Sequence, residues 1–155
     1  MGAVEHAAER AAPFKLGGRR DHLWSAAAGL IALVLFLSTC QNTINGSHHA
    51  YATDVGEIQN ALPRWGLIHR SGYPLYTATG SLFVTLMRVI GIEPAAGASF
   101  FSALWGVVAV ALLVELGLEL GASGPVAALG AAALTVSTSM WAYASLAEVH
   151  TMTLA

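Results

Sequence analysis

The amino-acid sequence predicts an all-α, polytopic transmembrane helix bundle, and three observations carry that prediction. Hydrophobic residues make up 55% of the 155-residue chain and charged residues only 10%. The mean hydropathy of +0.62 is higher than a water-soluble domain ordinarily shows. The apolar residues are gathered into charge-poor runs, Leu23–Cys40, Ser99–Leu118 and Val126–Leu146, each close to the length that crosses a hydrocarbon core.

Residues 1–22 are Ala-rich and basic, with Arg10, Lys15, Arg19 and Arg20 and no apolar periodicity that demands a fold, so they read as a cytoplasmic tail. Leu23–Cys40 follows, about 27 Å long as a helix at ~1.5 Å per residue. Trp24 stands where an interfacial anchor belongs. The four basic residues lie within the distance over which charge sets topology and place the N-terminus in the cytoplasm. A cleaved signal competes for this segment, because Leu37-Ser38-Thr39-Cys40 loosely resembles a lipoprotein cleavage box and Arg19-Arg20 a twin-arginine start. Thr39 is larger than the residue usual before a lipidated cysteine and the leader is long, which favours an uncleaved anchor.

Gln41–Pro74 is polar and too long for a simple connector, which makes it a candidate functional loop. In Leu75–Ile92, Thr77, Ser81, Thr85 and Arg88 recur at helical spacing while Leu82, Phe83, Leu86, Val89 and Ile90 fill the other side. That pattern predicts an amphipathic helix lying in the interface with Arg88 among headgroups. The alternative is a spanning helix whose polar stripe faces its neighbours. Glu93-Pro94 ends the segment, since proline disfavours helical geometry in the residue before it.

Ser99–Leu118 is the second expected span, with Glu115 and Glu119 one turn apart near its end. Gly121–Pro125 makes a turn in which Pro125 suits the first position of the next helix. Val126–Leu146, the third span, carries no charge and is rich in Ala and Gly, so close helix packing is expected there. The chain stops at Ala155 as apolar character resumes, which predicts an N-terminal fragment of a larger polytopic protein.

Parity then matters. With the tail inside and Leu75–Ile92 in the interface, Glu148 and His150 emerge on the same external face as Asp54 and Glu57. With Leu75–Ile92 crossing, the bilayer separates them.

Several groups carry chemistry. Asp54 and Glu57 sit three apart, as paired carboxylates on one helix face or as a capping box opening a helix that runs through Leu62. His69, Arg70, Tyr73 and Tyr76 bring an imidazole, a guanidinium and two phenols together beside Gly72 and Pro74. Arg70 and His69 suit a phosphate; a headgroup-contacting aromatic belt is the plainer reading. His48-His49 has no third ligand at a recognisable spacing, so no metal set is assigned. Glu148 and His150 stand at a span end, where ionisable groups are costly unless paired or used. Arg64, Arg70 and Arg88 are the last basic residues, and without a recurring basic face nucleic-acid binding is not expected. Cys40 is alone, so it forms no internal disulfide.

The ordered segments Thr53-Asp54-Val55-Gly56-Glu57-Ile58, His69-Arg70-Ser71-Gly72-Tyr73-Pro74-Leu75-Tyr76 and Ala147-Glu148-Val149-His150-Thr151 resemble the N-terminal third of GT-C-like membrane glycosyltransferases related to protein O-mannosyltransferases. The corresponding family segments read approximately G-D-S-G-E-F, H-P-P-G-Y-P-L-Y and A-E-V-Y-T. Thr53 replaces the family glycine, Arg70-Ser71 the paired prolines and His150 the tyrosine. The acidic residues remain in place.

The resemblance implies a GT-C-like fold with a long external first loop, in a bacterial inner (plasma) membrane. It implies transfer of a sugar from a polyprenyl-phosphate-linked donor to an acceptor hydroxyl whose identity it leaves open. Asp54, Glu57 and Glu148 would be the catalytic residues, with Asp54 or Glu57 as general base and Glu148 orienting the acceptor or holding a divalent ion. His69, Arg70, Tyr73 and His150 would bind substrate. From another class, a transporter or non-catalytic scaffold would use Glu115, Glu119 and Glu148 as proton-linked or structural groups.

Overall fold

The computed structural model describes residues 22–45, 54–69 and 72–155. The basic tail, His48-His49 and Arg70 lie outside them. The described residues are all-helical: α1 His22–Thr39, α2 Val55–Ala61, a 3₁₀ turn Leu62–Arg64, α3 Pro74–Val89, α4 Pro94–Glu119, α5 Gly124–Thr135, α6 Thr138–Ser145 and α7 His150–Leu154.

Two of these, α1 and α4, are long and apolar enough to cross a membrane. Helix α4 starts five residues ahead of the expected span because Pro94 takes its first turn, where the missing N–H costs nothing. The third expected span is broken in the structure, where α5 and α6 reach a spanning length only as a bent pair. Val126–Leu146 is not one rod: α5 and α6 meet at 69°. Ser137 causes the break by capping α6, accepting a hydrogen bond from the Met140 N–H while its hydroxyl donates to Leu134 O at 2.7 Å. Thr135 adds a hydroxyl bond back to Ala131 O. Such side-chain bonds compete with the helical ladder and satisfy the backbone groups that a kink frees, as an apolar surrounding requires.

The rods alternate in direction. At one end, His22 and Ser25 of α1 meet Glu115 of α4, and Trp24 covers Gly124 at the start of α5. At the other end, Trp141 Nε1–H donates to Thr39 Oγ1 at 3.0 Å, and the Thr39 and Ser145 hydroxyls pair at 2.9 Å. Helix α1 therefore runs parallel to α5–α6, with α4 antiparallel between them. Phe36 fills the middle of this layer, where a Cβ on Gly106 would come within 3.1 Å of its ring and 3.0 Å of Ala144. A side chain there would push these neighbours apart by a few tenths of an ångström, so glycine suits the close approach. Outward, Leu30, Ile31, Val34 and Leu129 are exposed, a bare apolar girdle that suits lipid.

A second core joins α2, the 3₁₀ turn, α3 and the first half of α4 around Ile58, Leu62, Val84 and Phe101. Helix α3 has 16 residues and is not among the helices able to cross. Its contacts run from Tyr76 opposite Ser102 to Met87 opposite Gly97. Between these ends Gly80 meets Phe101 and Val84 meets Gly97, so α4 runs back along α3. Thr77 and Ser81 of the polar stripe are buried against the bundle, whereas Leu82, Leu86, Val89 and Ile90 are exposed. Thr85 and Arg88 of the same stripe are exposed too, so the outer face of this helix is mainly apolar with Arg88 at its end.

Candidate functional site

The loop end of the bundle gathers what the sequence kept apart. Asp54 occupies the N-cap of α2 but its side chain makes no capping bond, so the capping box is not formed. Helix α2 also ends at Ala61, and Leu62 belongs to the 3₁₀ turn that Pro63 favours. Glu57 instead turns to the loop ahead of α3. Its carboxylate accepts from the His69 backbone N–H and from Nδ1, both at 2.7 Å. Two bonds from one residue clamp that loop onto α2.

They also orient the imidazole. With Nδ1–H held by Glu57, Nε2 faces Asp54 at 3.8 Å from Oδ2. Hydrogen bonding to Glu57 raises the His69 pKa above its ordinary value, with Asp54 and Glu148 adding to the effect through their charge. The positive imidazolium is thus favoured between two carboxylates.

Tyr73 packs edge-on to His69, with ring centroids 6.1 Å apart. It is placed there by an unusual backbone: Gly72 and Tyr73 both have positive φ, at 68° and 39°. A tyrosine in the left-handed region just before a proline is costly and persists only where its surroundings over-determine it. Here the Thr77 N–H bonds to Tyr73 O at 2.8 Å and its hydroxyl to Gly72 O at 2.6 Å.

Glu148 completes the group from the far end of the chain. It lies in the non-helical segment between α6 and α7 and is only 4% exposed. Burial, then the charge of Asp54, pushes its carboxyl up from an ordinary 4.5 to about 7, against a lowering by His69. That mutual influence marks Glu148 as a neighbour of the Asp54–His69 pair. His150 Nε2 stands 3.9 Å from Glu148 Oε2, and its ring lies 4.5 Å from that of Tyr143.

The sequence reading missed what holds this segment. Ser102, fully buried in α4, donates its hydroxyl to Glu148 O and accepts from the Glu148 N–H, both at 2.9 Å. With its proton committed, it accepts from Tyr76 OH at 3.1 Å. Burial raises the Tyr76 pKa, which keeps that phenol a donor. Hydroxyls among the apolar residues of α4 were the available signal, because a buried polar atom needs a partner.

Chemically, the arrangement offers two half-exposed carboxylates, one oriented imidazole and one buried acid near neutrality. One ligand atom each from Asp54, Glu57 and His69 lie within 4.8 Å of one another, so these residues could hold a metal ion. A shallow apolar slot of about 280 Å³ adjoins the group, lined by Tyr73, Leu75, Tyr76, Val149 and Met152 among others. Glu115 and Glu119 lie at the opposite end of α4 and take no part in it.

No curated protein and no solved structure matches this chain. Residues 54–155 match the family profile described as Protein O-mannosyl-transferase TMEM260 N-terminal domain. The matched stretch opens on Asp54 and includes every member of the group above, and the chain belongs to that family.

Proposed function

We propose that the intact protein is a GT-C-type glycosyltransferase that moves a sugar from a polyprenyl-phosphate-linked donor to an acceptor hydroxyl. The observation that carries this reading is the meeting of Asp54, His69 and Glu57 with the buried Glu148 at one end of the bundle. Family membership supplies the reaction class.

Asp54 is the general base. Its carboxylate is free of helix-capping bonds and half exposed, whereas both oxygens of Glu57 are engaged by His69. Asp54 takes the proton of the acceptor hydroxyl, the acceptor oxygen bonds to the anomeric carbon, and the bond from that carbon to the phosphate oxygen breaks. The electron pair leaves with the lipid phosphate. The imidazolium of His69, with Arg70, offsets the charge that develops there. Glu57 positions His69, Glu148 orients the acceptor, and Tyr73 and His150 flank the substrate. The apolar slot beside Tyr73 and Val149 suits the first part of the lipid chain.

The basic tail argues for a cytoplasmic N-terminus, which puts the site on the external face of a bacterial plasma membrane. The apolar outer face of α3, and its length below that of the two helices able to cross, support α3 lying in that interface.

A transfer assay on the full-length protein in vesicles, with radiolabelled polyprenyl-phosphate mannose as probe, tests the proposal. Asp54→Asn should lower transfer by at least about 10²-fold, the usual contribution of a positioned base. Glu57→Gln should cost less, with insertion unchanged in both. Full activity in Asp54→Asn would remove the carboxylate base.

A further inference from the structure

A second cavity near this end of the bundle is separate from the carboxylate site. It has a volume of about 530 Å³, within the range of ligand pockets, and shares no lining residue with that site. It opens between the end of α2, the 3₁₀ turn, the end of α3 and the start of α4. Arg64, Arg88, Asn42, Asn60 and Glu93 line it.

Its floor is built. The Gln59 amide, buried in α2, donates to Thr43 O at 3.1 Å and accepts from the Asn45 N–H at 2.8 Å. Weaker bonds tie it to Ala95 O and Ser99 Oγ of α4. One side chain therefore joins three walls.

The charge on those walls is unbalanced. Arg64 ends the 3₁₀ turn and Arg88 the last turn of α3, and among the described residues neither guanidinium has an ion-pair or hydrogen-bond partner. Glu93 shares the pocket yet pairs with neither. Its side chain also leaves the first N–H groups of α4 uncapped, and Ala95 from that turn lines the cavity. Two planar donor forks and a helix start of positive potential select an anion with several oxygens.

The apolar part of the wall says what kind of molecule carries it. Ile44, Pro63, Pro94 and Ala95 line the cavity with the two arginines, and Trp65, Leu67, Val89 and Ile90, close to those arginines in the chain, are exposed. A cationic centre with an apolar wall fits a phosphate attached to a hydrocarbon chain, where free phosphate would gain nothing from that wall.

We propose that the Arg64–Arg88 pocket is a second binding site, specific for the phosphate of a membrane lipid and separate from the carboxylate site. It does not depend on sugar transfer. The protein in nanodiscs holding phosphatidic acid and phosphatidylcholine in equal amounts, followed by native mass spectrometry of retained lipid, tests it. Wild type should retain phosphatidic acid preferentially, and Arg64→Gln with Arg88→Gln together should reduce that preference about tenfold. Both residues are exposed, so thermal melting should not change. Asp54→Asn should keep the preference, which separates this site from the transfer reaction. Equal retention of the two lipids by wild type, or an undiminished preference in the double variant, would overturn the proposal. Displacement of phosphatidic acid by equimolar inorganic phosphate would refute the lipid assignment in favour of a free-anion site.

Discussion

The two ends of the bundle solve the same electrostatic problem differently. At the tail end one imidazole meets one carboxylate: His22 Nδ1 lies 2.9 Å from Glu115 Oε2, and the Ser25 hydroxyl adds a bond to the same carboxylate. These bonds engage Glu115 and fasten α1 to α4, while Glu119 one turn on keeps a buried oxygen without a hydrogen-bond partner among the described residues. At the loop end one imidazole faces Asp54 and Glu57, with the buried Glu148 close behind. Around His69 the carboxylates outnumber the imidazole that faces them. A balanced pair needs nothing further, whereas a surplus of carboxylates held in place by other bonds is arranged for something that arrives.

The largest expected effect separates the ends by activity. Asp54→Asn should abolish most transfer while leaving the melting temperature nearly unchanged, because its side chain supports no helix cap. Ser102→Ala should do the reverse in stability. It strips the partner from a buried N–H and a buried C=O of Glu148, at a cost of about 1–3 kcal/mol by thermal or denaturant unfolding. Transfer should fall with it, since Glu148 loses its seat.

A third outcome is a pH dependence. The Glu148 carboxyl is held near 7 rather than 4.5, so the fold favours its protonated form. The stabilisation this gives is complete below 4.5 and is lost as pH rises through about 7. Raised pKa at His69 acts in the same direction, its contribution vanishing as pH climbs through that raised value. The melting temperature should therefore drop between about pH 5 and about pH 8, and Glu148→Gln should flatten part of the drop. An unchanged slope in that variant would mean Glu148 titrates as an ordinary surface acid. Smallest of all, Glu115→Gln should cost under about 1 kcal/mol and leave transfer intact, as a half-exposed ion pair does.

Much of the architecture could be read from periodicity and charge. The runs around α1 and α4 are apolar on every side, and no other fold buries them. The order of the acidic segments pointed to the family, and the family match begins at Asp54 itself. What stayed hidden was local. Ser137 reads as one small polar residue in a long apolar run, and only its cap on Met140 shows that it bends the rod. Asp54 and Glu57 look equivalent at their spacing. The His69 loop distinguishes them, and a contact between residues twelve apart leaves no periodic trace. Ser102 is similar, since its partner lies 46 residues away.

The account depends on the Asp54 loop and the Glu148 segment facing one side of the membrane. Leu67→Cys and His150→Cys, each in a Cys40→Ser background, place a thiol at an exposed position of either segment. A membrane-impermeant maleimide added outside intact cells should label both. Labelling of position 67 from outside and of position 150 only after the membrane is opened would put the two acidic segments on opposite faces and contradict the account.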